Sequence, residues 1–392
     1  MRGRRRARRS VIAAAAAVAA VATLAVPSTA LAPEGISRPA AAAAPAVRVK
    51  APRSFTVAAV GDFLPEPLIN HPAAAAAPPG VRYDYASLLR PVEPFVRFAD
   101  LAICHMETPI GPPGATVGWV GKSATGTNLL QTAWETPFDL KRVGFDRCST
   151  ASNHANDLGL TGIADNLRAL DAAGVTHNGT ARTVQEAAVS TFLVKGVRVA
   201  HLSYARNSNT GFPFDWWRLN RAVQTTQVRA DVATARRLGA EVVIVSLHVY
   251  MEMQTGPIAE DRAIVDSITS AAAKPDLVII HGPHVPQPME RVNGVVTYWS
   301  VGNFISGMGA PNRGKYADPR TLDGLMPIVR FTQRSNRTWA VDPFTVLLCN
   351  TPADRKVYPG LTTLKDPTIS STVRQQLQAC VARASKVVPG LR

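Results

Sequence analysis

Between residues 55 and 304 the chain repeats one pattern: a short apolar run, a polar turn, then a segment with apolar residues every three or four positions. The short runs are FTVAAVGD (55–62), FADLAICHME (98–107), GFDRCSTASNH (144–154), VRVAHLSYA (197–205), AEVVIVSLHV (240–249), PDLVIIHGPH (275–284) and GVVTYWSVGNF (294–304). Each is built on an apolar stretch of roughly five to eight residues rich in Val and Ile, which predicts buried strands. In GLTGIADNLRALDAAG (159–174), Ile163, Leu167 and Leu170 recur at spacings of four and three, and Gly174 supplies a helix stop. RADVATARRLG (229–239) and EDRAIVDSITSAAA (260–273) have similar helical patterns. Strands alternating with helices predict an α/β domain. Residues 110–133, rich in Gly and Thr with little periodicity, predict a long surface loop near the site. There is no internal repeat.

The ends of the chain differ from this middle. Six Arg between Met1 and Arg9 precede an apolar run, Val11 to Val26, and then the small residues PSTALA. That is the layout of a secretory signal, expected over 1–32, and the Arg-Arg pair before Ser10 suggests twin-arginine export. An uncleaved membrane anchor is the alternative, although about 16 apolar residues fall short of the ~20 a span needs. Residues 33–53 are Ala- and Pro-rich and predict an extended tether. The main domain is expected over 54–348, with a C-terminal extension over 349–392 that carries a helix, SSTVRQQLQACVARA (370–384).

Charge and cysteine usage narrow the classes. Losing the six signal Arg takes the formal net charge from +15 to +9. The remaining Lys and Arg are scattered, with no basic run interleaved with aromatics. This suits an anionic cell wall or polymer and argues against nucleic acid. The four Cys form no CxxC pair, so a zinc ribbon has no support. Cys104 and Cys148 sit in apolar, strand-like runs and are expected as buried thiols. Cys349 and Cys380 are the pair expected to bridge, among the three connectivities that four Cys allow.

The polar residues collect at the C-terminal ends of the predicted strands, where open α/β sheets gather their ligands. Asp62 ends one run, His105 and Glu107 another, Asn153 and His154 a third, His248 a fifth, and His281 and His284 a sixth. Mixed His, Asn and carboxylate donors suit Zn²⁺, Mn²⁺ or Fe better than Ca²⁺. Two such ions some 3.5–4 Å apart clamp a phosphate and activate a water. Asp157, three residues after His154, either caps the following helix or orients His154. Each residue also has a plainer reading. Asp62 after Gly61 suits a turn, His248 and His105 suit hydrogen-bonded core histidines, and HGPH suits a tight turn. The coincidence at several strand ends is what favours a metal site. No G-x-S-x-G elbow, P-loop or G-x-G-x-x-G turn is present.

In order along the chain, VGDFL (60–64), ADLAICHMETPI (99–110), ASNHANDLGLTGI (151–163), HVYMEM (248–253), HGPHVPQP (281–288) and YWSVGNF (298–304) resemble the motif blocks of the CapA family. These are capsule or poly-γ-glutamate biosynthesis proteins with a metallophosphatase-like fold, and the likeness covers about residues 54–308. The resemblance implies a four-layer α/β/β/α sandwich. It carries metal or catalytic roles to Asp62, Glu107, Asn153, His154, His248, His281 and His284, and site-lining positions to Glu252 and Gln287. The chain departs from the pattern in three places. Leu64 stands where metallophosphatases place a His two residues after the first Asp. His105 replaces the Asn of the second block, and Val249-Tyr250 replaces Trp-Gly in the fourth.

The expected function is an exported, metal-dependent, phosphoesterase-like hydrolase of poly-γ-glutamate or capsule metabolism. Its cofactor would be one or two divalent ions. His154 or His248 would supply the acid, and Asn153 would help hold the metal. Partners implied are an anionic polymer or phosphoester and membrane-bound polymer synthesis machinery. The alternatives are a non-catalytic polymer-binding or assembly component of a capsule export machine, and a hydrolase of cell-wall sugars or lipid phosphates on the same fold.

Overall fold

Alternation along the first strand sets the layering. β1 (Ser54–Leu64) turns Phe55, Val57 and Ala59 into one apolar cluster and Ala58 and Val60 into another, because successive strand side chains face opposite ways. The structure is a computed structural model and describes residues 52–249, 251–311, 314–389 and 391. The expected signal segment 1–32, the tether as far as residue 51, and Tyr250 lie outside the described residues.

After β1 the strands are β2 (Leu101–His105), β3 (Gly118–Lys122), β4 (Asn128–Gln131), β5 (Arg147–Ser149), β6 (Thr176–Asn178), β7 (Phe192–Val194), β8 (Val197–Ala205), β9 (Val242–His248), β10 (Leu277–His281), β11 (Met289–Val292), β12 (Val295–Tyr298), β13 (Asn303–Ser306), β14 (Asp323–Gln333), β15 (Trp339–Asn350) and β16 (Val357–Pro359). One sheet runs β16-β15-β14-β1-β2-β5-β6, with β13 beside the far half of β1. The other runs β11-β12-β10-β9-β8-β7. Within each sheet the strands that lead to the site are parallel, so their C-terminal ends share one edge.

Three apolar clusters separate four layers. Phe55, Val57 and Ile103 of the first sheet meet Val199, Ile244 and Ile279 of the second. Behind the first sheet, Ala58 and Val60 pack on Leu140, Ile163 and Leu167 from the helices Thr136–Val143 and Gly159–Ala172. Behind the second sheet, Val243, Val245 and Val278 pack on Val228 and Val232 of the helix Thr225–Arg237 and on Val265 and Ile268 of the helix Ala259–Thr269. The order is therefore α/β/β/α, as the motif resemblance implies. Ile244 and Ile279 are fully buried, and each such side chain contributes roughly 1.5–3 kcal/mol.

Four sequence expectations need correction. The run 294–304 is two strands in different sheets, β12 and β13, because Trp299–Gly302 crosses between them and Val301 drops into the inter-sheet core. Only Arg147–Ser149 of the run 144–154 is a strand, and Asn153 and His154 stand on the turn beyond it. The supposed loop 110–133 contains the hairpin β3–β4, a separate two-stranded sheet. Much of it is exposed, so it needs no apolar face and gives no periodic signal. Cys104 and Cys148 are not thiols but a disulfide, because β2 and β5 are neighbours that pair these two residues directly, with Cα atoms 4.4 Å apart.

The Cys349–Cys380 bridge is present and ties β15 to the helix Ser371–Ala384. The residues expected as an extension, 349–392, begin inside β15. Their helix sends Val373, Leu377, Cys380 and Ala384 into the inter-sheet core. No described helix is long and apolar enough to cross a membrane.

Candidate functional site

The site is made where the two sheets offer the C-terminal ends of their parallel strands to each other. Asp62 is fully buried near the end of β1. Its position needs Gly61, since a Cβ there would collide with the Gly302 carbonyl. β2 delivers His105 and then Glu107, and β5 delivers Ser149. On the turn after β5, Ser152 Oγ donates to the Glu107 carbonyl (2.8 Å) and accepts from the His154 amide (3.2 Å), which ties that turn to the end of β2. From the other sheet β9 ends in His248 and β10 in His281, facing each other in register. Gly282 follows with φ +100, and a side chain there would strike the Val249 carbonyl. The turn then returns His284, itself left-handed at φ +60.

These side chains converge. His284 Nδ1 lies 3.1 Å from Asp62 Oδ2, and its Nε2 lies 3.6 Å from Glu107 Oε1. His105 Nε2 and His281 Nδ1 lie 3.7 and 3.8 Å from Asp62 Oδ1. His248 Nε2 lies 4.0 Å from Glu107 Oε1. Two donor groups have the spacing of a metal site: Asp62, Glu107 and His284, and Asp62, His105 and His248. The residues fit divalent ions by a further test. Asp62 Oδ1, both oxygens of Glu107, Asn153 Oδ1 and both nitrogens of His281 are buried without a hydrogen-bond partner. Buried polar atoms normally have partners, and a set of orphaned carboxylate, amide and imidazole donors is what a cation would satisfy. His105 differs, because its Nδ1 is 2.7 Å from Ser149 Oγ and its Nε2 is 3.0 Å from His248 Nδ1.

The electrostatics point the same way. Burial, reinforced by neighbouring imidazoles, holds His105 well below its ordinary value. Burial lowers His248 to about 3 and His281 to about 4, against the pull of Asp62. All three are neutral, the form that binds metal. Burial raises the Glu107 carboxyl to about 8, although His284 opposes it. Burial would also raise Asp62, but the hydrogen bond and charge of His284 outweigh it and lower that carboxyl. For His284, burial is overcome by Glu107 and Asp62, which hold the imidazole well above its usual value.

A cleft of about 370 Å³ opens onto this cluster. Glu107, Asn153, His154, Glu252 and His284 line it, with Leu64 at the position of the absent histidine. Asp157 does not cap a helix. Its Oδ2 accepts from His154 Nδ1 (2.6 Å) and from the Leu130 amide of β4 (2.8 Å), so it orients His154 and anchors the hairpin. Burial lowers His154, but the Asp157 hydrogen bond and charge raise it overall. Glu252 reaches the cleft and pairs with Lys315 at 2.9 Å. Gln287 is buried, donates to the Gln254 carbonyl (2.8 Å) and is not a cleft residue. Sequence reasoning missed the hairpin wall, with Trp119 and Lys122, and Asn209, whose Nδ2 lies 3.2 Å from His154 Nδ1. A polar run after the β8 pattern, RNSNTG, was the available signal for Asn209.

Fold and site together define a four-layer α/β/β/α protein with a buried candidate centre for divalent metal. Residues 56–308 match the family described as bacterial capsule synthesis protein PGA_cap, and this chain belongs to that family. It is 28% identical over 225 residues to the PGA biosynthesis protein CapA of Bacillus subtilis, a match covering 57% of each chain. It is 24% identical over 268 residues to the capsule biosynthesis protein CapA of Bacillus anthracis, covering 67% of this chain and 61% of that one. The chain thus spans about three fifths of the length of these relatives. A solved calcineurin-like phosphoesterase, YfkN from Bacillus subtilis, is 10% identical with a TM-score of 0.42, covering 85% of this chain and 98% of that one. That similarity is too distant to inform function.

Proposed function

We propose that this chain is an exported, metal-dependent hydrolase of the phosphoesterase type, acting in capsule or poly-γ-glutamate metabolism. The observation that carries the reading is the group of buried, unpartnered donors on Asp62, Glu107, Asn153 and His281, of which Glu107 and Asn153 line an open cleft. With His248 and His284 these residues would hold one or two divalent ions, of which Mn²⁺, Zn²⁺ and Fe²⁺ suit the donors. Such ions, when bound, supply Lewis acidity and an activated water. His154 stands at the cleft wall with Nδ1 held by Asp157. Its raised pKa suits protonation of a leaving group. His105 bonds His248 Nδ1 and so steers the other His248 nitrogen toward the cluster. The substrate would be an anionic polymer or phosphoester, and membrane-bound polymer synthesis machinery is the fitting partner.

Export rests on the Arg-rich and apolar start of the chain. Two disulfides support it, since such bonds persist in oxidising compartments. Deleting residues 1–32 should leave the protein in the cytoplasm, and unchanged secretion would end that part of the proposal.

A second reading, a non-catalytic polymer-binding component, is favoured by Leu64 in place of a ligand-type histidine. Metal analysis of the purified protein, followed by a screen on phosphoesters and poly-γ-glutamate, separates the two. Wild type should carry metal and hydrolyse at least one class. His154→Ala should keep the metal and lose the hydrolysis. A metal-free, inactive wild type would remove the hydrolase reading.

A further inference from the structure

We infer that the opposite end of the sandwich carries a second pocket, built to bind a multivalent anion, which is independent of the metal centre. A cavity of about 530 Å³ lies where the N-terminal ends of β10 and β12 meet the turn joining β14 to β15. Lys274 leads into β10, Arg291 lies in β11 beside the start of β12, and Arg334 follows β14. These positions are remote in sequence and come from both sheets, so only the fold makes them one lining.

Among the described residues, these charges are only partly compensated, by the Asp276 carboxylate in the same lining. Arg236, also in the lining, is paired with Asp276 at 2.7 Å. Among the described residues, the hydrogen bonds of the other three cations go to main-chain carbonyls: Lys274 to Asn293 (2.7 Å), Arg291 to Val341 (2.6 Å) and Gly294 (3.4 Å), and Arg334 to Trp339 (2.9 Å). A carbonyl fixes where a cation sits without neutralising it. Three net positive charges are therefore held around one concavity at the surface, where their fields add. Two are guanidinium groups, whose planar forks match carboxylate or phosphate oxygens.

The geometry separates this pocket from the metal cluster. β9 has seven residues between the two ends, and at ~3.3 Å per residue that is roughly 20 Å. The ligand class is an anion with two or more carboxylate or phosphate groups. A segment of an anionic polymer and a small polyphosphate both present that chemistry.

The test uses the whole chain after chelator treatment, so that no metal contributes to anion binding. Inorganic pyrophosphate and poly-γ-glutamate are titrated calorimetrically into wild type and Lys274→Gln/Arg291→Gln/Arg334→Gln. Wild type should bind at least one of them, more tightly at low salt. The triple variant should lose about tenfold or more. The ligand that shows this difference identifies the source. Equal binding by the two proteins, or no binding of either ligand to wild type, overturns the proposal. Should the triple variant fail to fold, Lys274→Glu serves instead, because its ammonium bonds only one exposed carbonyl. That reversal should weaken binding severalfold, and an unchanged affinity would also overturn the proposal.

Discussion

The two ends of the sandwich are cut from the same strands and hold opposite chemistry. At the C-terminal end, Asp62, His105, Glu107, His248, His281 and His284 are all at most 4% exposed, and several of their donor atoms have no partner. At the N-terminal end the cations are largely exposed and all bond main-chain oxygens. Both disulfides lie toward the first end. Cys104 and Cys148 immediately precede His105 and Ser149. Cys349 pairs with Asp323 at the start of β14, close to the Gly302–Gly324 bridge. The difference teaches where each kind of site takes its strength. A buried donor set costs folding free energy until an ion satisfies it, so it needs rigid, cross-linked support. An exposed cation pocket costs little to maintain, and its affinity is correspondingly sensitive to salt.

The largest expected effect breaks the buried end. Asp62→Ala/His281→Ala removes donors from both sheets and should reduce bound metal to background by elemental analysis. Wild-type metal content in that variant would mean the cluster is not the metal centre. Next comes the support. Cys349→Ala/Cys380→Ala opens a loop with 31 residues of sequence separation and should cost about 3–4 kcal/mol in denaturant unfolding. A loss below about 1 kcal/mol would show that this cross-link is dispensable.

A smaller effect concerns protons. In the metal-free protein Glu107 titrates at about 8, so at pH 7 its carboxyl mostly holds a proton. A cation must displace that proton. His284, which Glu107 and Asp62 hold well above its ordinary range, must give up a proton as well, so metal affinity should rise as pH rises through about 8. Titration calorimetry in two buffers of different ionisation enthalpy should show proton release at pH 7, and identical apparent enthalpies would contradict it. The smallest effect belongs to the other end. Lys274→Gln should leave metal content unchanged and shift unfolding by no more than about 0.5 kcal/mol. A larger shift would mean that the cation supports the fold rather than a ligand.

Much of this was legible in the chain, for identifiable reasons. VRVAHLSYA and PDLVIIHGPH could be read as strands because both faces of those strands are buried and demand continuous apolar residues. The site residues stood out because polar groups end several such runs at once, at the strand ends where open α/β sheets gather ligands. Three things stayed hidden. The hairpin β3–β4 has too little buried face to leave a pattern. The Cys104–Cys148 bridge joins residues 44 apart that nothing in the local sequence marks as neighbours. The break within GVVTYWSVGNF depends on one residue, Gly302, taking φ +63 at the crossing between sheets.

The sequence by itself determined which segments are buried, the order in which they alternate, and which side chains carry chemistry at their ends, since these follow from local periodicity and residue type. Only the tertiary structure decided which strands are neighbours. That pairing set His105 against His248 and Ser149, linked Asp157 to the hairpin, and drew Lys274, Arg291 and Arg334 around one cavity. The physical reason is that contacts between residues far apart in the chain are fixed by how whole apolar faces pack together, and no short window of sequence contains both partners.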